Sequence, residues 1–238
     1  METAHRSGTL DPETGPGLQA SKDAQEGEGV PSILKWCIRA IWELGTKEPG
    51  APVMGEAEGV FRLASDADTM FALREDVSKG DYTVLKNRDK TRGLLHSPIE
   101  AADLLKQWLR NMPDPLLPYN IYNKGVDIGR TQGPEAVRAA VAVLTSALTG
   151  ASGTAAAPSA DATLDRPSFR TLRYLLHFCW ELSAHESVTK MGVSNLALVM
   201  APNIMKDESG DPLIFARNAD AERGFVALLI DGIGQQLW

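Results

Sequence analysis

A chain of 238 residues has room for one sizeable hydrophobic core or two small ones. Its 31 acidic residues outweigh its 24 basic ones to leave a formal charge of −7, which argues against nucleic acid or an anionic membrane surface as a general partner. The two cysteines, Cys37 and Cys179, fall in apolar helical patterns without metal-ligand neighbours, no N-terminal signal pattern is visible, and no apolar run nears the ~18 residues of a membrane span; the expectation is a cytoplasmic protein with reduced core thiols and no direct membrane insertion.

Met1 to Gly29 is rich in Gly, Glu, Asp, Ser and Thr, has no aromatic residue and no period, and reads as a disordered leader. The remainder, 30–238, reads as one all-α domain. Its first helix starts at VPSILKWCIRAIWELG, where Val30, Ile33, Leu34, Cys37, Ile38, Ile41 and Trp42 recur at three- and four-residue steps and Gly45 closes the pattern. A turn-rich connection, Thr46 to Glu58, leads to GVFRLAS. A second helix is expected from Ser65, with Asp68 three residues on as a capping-box variant, to about Gly80. Thr83 to Leu95 is charged and carries no clear pattern. Ser97, Pro98 and Glu100 are a stronger start signal, for a third helix running through IEAADLLKQWLRNM to Pro113. PDPLLP, with Pro113 and Pro115, must then be extended, because each proline biases its predecessor away from helix. Further helices are expected over Pro134–Leu148, Pro167–Leu182, the segment VSNLALVMAPN and Ala221–Leu237. The alanine-rich stretch at about 149–165 reads as a flexible low-complexity loop.

The chemistry-bearing patterns are mostly missing. There is no glycine-rich phosphate loop of either common form, and Ser, Cys and His make no recognisable nucleophile motif. His5, His96, His177 and His185 lack metal-site spacing, so no metal is expected. What remains is cationic. Arg62 interrupts an apolar run, and a buried unpaired guanidinium costs several kcal/mol or more, so it is either tucked against a carboxylate or displayed. Lys106 and Arg110, at i and i+4, project from one side of the third helix. By spacing they are an ordinary solvated basic edge, or a pair that braces an anionic loop or meets an acidic partner. Asn203, next to Pro202 at a helix end, reads as a cap or turn residue.

Taken together, EGVFRLAS, LLKQWLRNMPDPLLP and SNLALVMAPNI resemble the three signature blocks of the RhoGAP (Rho GTPase-activating protein) domain family, in the family's order and at about its separations. The resemblance covers roughly Val30 to Leu237. It implies a helical domain that binds a Rho-family small GTPase of Rho, Rac or Cdc42 type in the GTP-bound state and stimulates GTP hydrolysis. Arg62 matches the family's catalytic arginine finger, which makes the domain an activator in trans and not an enzyme on its own. Lys106 and Arg110 match its paired basic positions, and Asn203 matches a polar contact near the GTPase switch regions. Asn195, Pro113 and Pro115 match positions read as structural. No cofactor of this chain is implied, since GTP and Mg belong to the partner. The chain departs from the pattern after Arg62, where Ala64-Ser65-Asp66 replaces the usual Ser-Gly-Ser and offers Asp66 as a partner for Arg62; Ile99 and Thr189 also stand where the family usually has histidine and asparagine. These departures motivate an alternative, a catalytically weak or inactive relative acting as a GTPase-binding or helical scaffold module.

Overall fold

The three- and four-residue spacing in SILKWCIRAIWELG takes one stripe of a helix out of water, and α1 (Ser32–Gly45) buries Ile33, Leu34, Cys37, Ile38 and Ile41 along it. The computed structural model describes residues 29–45, 57–80, 95, 97–149 and 167–237. These group into two compact units, one up to Leu105 and one from Lys106 onward. Every regular element among the described residues is helical, as the sequence patterns predict, and no described helix is long and apolar enough to cross a membrane. The expected leader, apart from Gly29, lies outside the described residues, as do 150–165 of the alanine-rich stretch and nearly all of Thr83 to Leu95.

In the first unit a turn over residues 57–63 leads to α2 (Ala67–Ser78), and α3 (Pro98–Arg110) begins after Ser97. The cap of α2 falls one residue later than the sequence suggests, at Asp66 and not Ser65. The Asp66 carboxylate accepts the Thr69 N–H at 2.9 Å and the Thr69 hydroxyl at 3.0 Å. At α3 the start matches the reading: Pro98 is the first helical residue, and the Ser97 N–H donates to Glu100 Oε2 at 2.8 Å, the side-chain half of a capping box. The helix ends at Arg110, and its last turn tightens as the Met112 N–H reaches the Leu109 carbonyl, one residue before Pro113.

In the second unit the last turn of α3 is followed by the extended proline segment, which buries Pro115, Leu116 and Leu117 and donates the Leu117 N–H to the Ile204 carbonyl at 2.9 Å. A short 3-10 turn (Tyr119–Ile121) then leads through α4 (Tyr122–Gly129), α5 (Pro134–Thr149), α6 (Pro167–Ser183), α7 (Glu186–Thr189), α8 (Val193–Ile204) and α9 (Pro212–Gly234). α9 is the centre of this unit and packs against α8, α4, α5 and α6.

Several of these elements differ from the sequence reading, which has no counterpart for the 3-10 turn or for the single-turn α7. α9 begins nine residues before Ala221, because Pro212 sits at its first turn and Asp211 caps it, accepting the Leu213 N–H at 2.9 Å. Leu213 and Phe215 are exposed there, which hides the apolar stripe. α4 has no counterpart in the sequence reading, since NKGVDIG is short and glycine-containing. Its place is set by backbone proximity to α9: a Cβ on Gly129 would lie 1.9 Å from the Ala221 carbonyl oxygen, and one on Gly224 would lie 2.1 Å from that of Gly129. Only residues without a side chain permit that crossing.

Candidate functional site

The turn that carries Arg62 is built from its buried neighbours. Ala57, Val60 and Phe61 are buried, while Arg62, Leu63 and Ala64 are exposed. The Gly59 carbonyl accepts both the Arg62 and Leu63 N–H groups at 2.9 Å, and the Val60 N–H donates to Ala57 at 3.0 Å. Gly59 takes φ +77°, with the Leu63 side chain lying where its Cβ would be, 2.8 Å away. Phe61 is the more telling residue, because it adopts φ +69° with a full side chain. A left-handed conformation costs a bulky residue about 1 to 2 kcal/mol. Its ring is 2% exposed, and that burial holds the conformation and turns the next side chain to solvent.

The choice left open by the sequence is thereby resolved: Arg62 is displayed. Among the described residues no carboxylate pairs with its guanidinium. Asp66, the candidate partner, is engaged as the α2 cap, and its bonds from Thr69 hold its carboxyl below the usual carboxylate range. Ser65 closes the turn from the far side. Its N–H and its hydroxyl both donate to one oxygen of Asp103 on α3, at 2.6 and 2.8 Å. Asp103 does not stand out in the sequence, and Ser65 reads there only as the start of the second helix; the available signal was a lone carboxylate between buried positions in AADLL.

The second unit brings two of the remaining candidates together. Arg110 is exposed, and its Nε–H donates to Asn203 Oδ1 at 3.2 Å, while the Asn203 amide donates to the Val199 carbonyl at 2.6 Å. Asn203 is 2% exposed, so it is a buried bracket for Arg110 and has no free face of its own. Lys206 Nζ adds a bond to the Arg110 carbonyl at 2.9 Å. Lys106 is partly buried, one turn before Arg110 on α3. Pro202 lies inside α8 and has no N–H for the Leu198 carbonyl, which marks this last turn as irregular. Asn195 is exposed and donates to the Lys190 carbonyl at 2.9 Å, closing the end of α7, where Lys190 takes φ +59°. Pro113 is exposed and Pro115 buried.

A buried polar cluster in the second unit was invisible in the sequence. The Tyr122 hydroxyl donates to Glu222 Oε1 at 2.5 Å, Asn218 reaches the same hydroxyl at 3.4 Å, and Arg130 bonds Asn218 at 3.2 Å. Glu222 is 1% exposed and its Oε2 has no hydrogen-bond partner among the described residues; burial first, and then the nearby Asp207 charge, push its carboxyl above the ordinary range. Burial, and then the bond to Glu222, push the Tyr122 phenol up to about 12. Both thiols are buried, and burial pushes Cys179 up to about 12 and Cys37 higher, which makes them poor nucleophiles.

The RhoGAP domain family profile matches residues 31–209. Among curated relatives, mouse Rho GTPase-activating protein 22 is 27% identical over 210 residues, covering 87% of this chain and 25% of that protein. GTPase activating protein homolog 2 of Dictyostelium discoideum is 32% identical over 178 residues, covering 74% of this chain and 16% of its own length. The chain therefore spans a quarter or less of these relatives. Two solved structures share the fold: human Rho GTPase activating protein 15, with a TM-score of 0.64, 19% identity and coverage of 88% of this chain and 85% of that one, and the BH domain from Graf, the GTPase regulator associated with focal adhesion kinase, with a TM-score of 0.59, 16% identity and coverage of 86% and 92%. With the family profile spanning both helical units and the arginine turn between α1 and α2, the chain belongs to the RhoGAP domain family.

Proposed function

We propose that this domain binds a Rho-family small GTPase in its GTP-bound state, in the cytoplasm, and stimulates GTP hydrolysis by inserting Arg62 into the partner's nucleotide site. The observation that carries the reading is the arginine turn: an exposed guanidinium without a described ion pair, presented by a buried neighbour held at positive φ. A planar, always-charged fork suits the negative charge that spreads over a transferring phosphoryl group. Such an arginine supplies roughly 10^3 to 10^5 in rate, about 4 to 7 kcal/mol of barrier. GTP and Mg are held by the GTPase, and the sequence of this chain carries no glycine-rich phosphate loop. Lys106 and Arg110 make ground-state contacts with the partner, and the buried Asn203 acts through the guanidinium it holds.

Single-turnover GTP hydrolysis by Rho-, Rac-, Cdc42- and Ras-type GTPases, with wild type and Arg62→Ala in parallel, tests the proposal. The expected outcome is acceleration confined to Rho-class members, with Arg62→Ala losing about 10^3 in saturating rate while the half-saturating concentration changes little. Full stimulation by Arg62→Ala would refute the finger.

A further inference from the structure

Arg62, Leu63 and Ala64 are the exposed part of the turn, and each end of this three-residue stretch is tied down. On the N-terminal side the anchor is the buried Phe61 ring. On the C-terminal side no apolar residue does that work, since Ala64 is exposed and Ser65 only half-buried. The tie there is polar and long-range: Ser65 N–H and Oγ–H converge on Asp103 Oδ2, 38 positions along the chain and in the middle of α3. Both bonds end on a carboxylate, and charge-assisted hydrogen bonds are about twice as strong as neutral ones. Asp66, the next residue, is committed to Thr69, so Ser65 is where the turn is fastened to a second element before α2 begins.

We infer that Asp103 and Ser65 form a positioning clamp that fixes where Arg62 is presented, so that Asp103 sets the stimulated rate without touching the GTPase or its nucleotide. The inference rests on the finger reading above. Catalysis by a displayed charge is sensitive to position, and a misplacement of about 1 Å costs on the order of 10²-fold. With Asp103 removed, the stretch from Arg62 to Asp66 keeps its N-terminal anchor and its α2 cap but loses the fixed distance to α3. The guanidinium then samples many positions and reaches the productive one less often. A role confined to stability would lower the melting temperature of the domain and leave the saturating rate of the folded fraction unchanged.

The test uses the whole chain, with GTP-loaded Rho-type GTPase in single-turnover assays read as saturating rate and half-saturating concentration separately. The variants are Asp103→Ala, Asp103→Asn, Ser65→Ala, Arg62→Ala and Arg62→Ala/Asp103→Ala, each checked by circular dichroism. Asp103→Ala is expected to lower the saturating rate by about 10- to 100-fold and to shift the half-saturating concentration less than about twofold. Asp103→Asn, which keeps a neutral acceptor, falls between it and wild type, and Ser65→Ala, which keeps the N–H bond, costs a few-fold. In the Arg62→Ala background the Asp103 change adds no further loss, because both act through one side chain. A folded Asp103→Ala with the wild-type saturating rate overturns the clamp, as does a full additional loss on top of Arg62→Ala. If Asp103→Ala does not fold, a wild-type rate for Ser65→Ala and Asp103→Asn overturns it equally. Failure of the finger reading is seen separately, as full stimulation by Arg62→Ala itself.

Discussion

The arginine turn stands on a balance at Phe61 that a single substitution tips. A left-handed backbone at a side-chain-bearing residue costs about 1 to 2 kcal/mol, and burying a phenylalanine ring returns about 1.5 to 3 kcal/mol. Phe61, at φ +69° and 2% exposed, therefore holds the turn by a margin of about 1 kcal/mol. Phe61→Ala keeps the strain and removes the burial. If the turn persisted, the loss would be about 3 to 5 kcal/mol, as for other large-to-small core changes. Opening the turn recovers the strain, so the measured destabilisation settles near 2 to 4 kcal/mol. Phe61→Leu keeps most of the apolar volume and costs about 1 kcal/mol. Urea unfolding reads the stability from a shifted midpoint at unchanged slope, and single-turnover hydrolysis reads the finger. Phe61→Ala is expected to fall toward Arg62→Ala in saturating rate, and Phe61→Leu to stay near wild type. A folded Phe61→Ala that stimulates at the wild-type rate would refute the argument that burial of this ring aims Arg62.

Gly129→Ala should destabilise the domain by about 3 kcal/mol or more, although alanine is the better helix former by about 1 kcal/mol, because its Cβ meets the α9 backbone at 1.9 Å. A melting temperature at or above wild type would show that α4 and α9 do not cross this closely. Glu222→Gln tests the buried cluster. Burial raises the folded carboxyl above its unfolded value, so its contribution is full below about pH 4.3 and is lost as pH rises toward the raised folded value. The variant should therefore gain on wild type in melting temperature as pH rises above about 4.3, and differ little below it. A melting difference that does not change with pH counts against the assignment. Asn203→Ala should cost about 1 to 2 kcal/mol of stability, since it leaves the buried end of α8 without its amide and Arg110 without its bracket. It should also weaken GTPase affinity more than it lowers the saturating rate, and the reverse split would place Asn203 in the catalytic step.

The elements written in local signals were legible. The stripe of α1, the Ser97-Pro98-Glu100 start of α3, and the proline segment after it follow from periodicity, capping and missing N–H groups, which act within a few residues. α4 was not legible, because its cause is the approach of Gly129 to Ala221 across the fold and nothing in NKGVDIG announces it. The α2 cap shows the same limit. Ser65 and Asp66 are both acceptable caps, and the choice fell to Asp66 because Ser65 is drawn to Asp103.

The site divides along the same line. Sequence by itself determined the class of fold, the three family blocks and the identity of the basic residues, since residue type and spacing are properties of the chain alone. It posed the question of Arg62 without answering it, because exposure depends on where neighbouring side chains go. Tertiary structure decided that Phe61 takes the interior, that Asp66 spends its carboxylate on α2, and that Asn203 is a buried bracket on Arg110. Each of these outcomes is a competition between groups far apart in sequence for one partner or one cavity, and only the folded chain brings the competitors within reach.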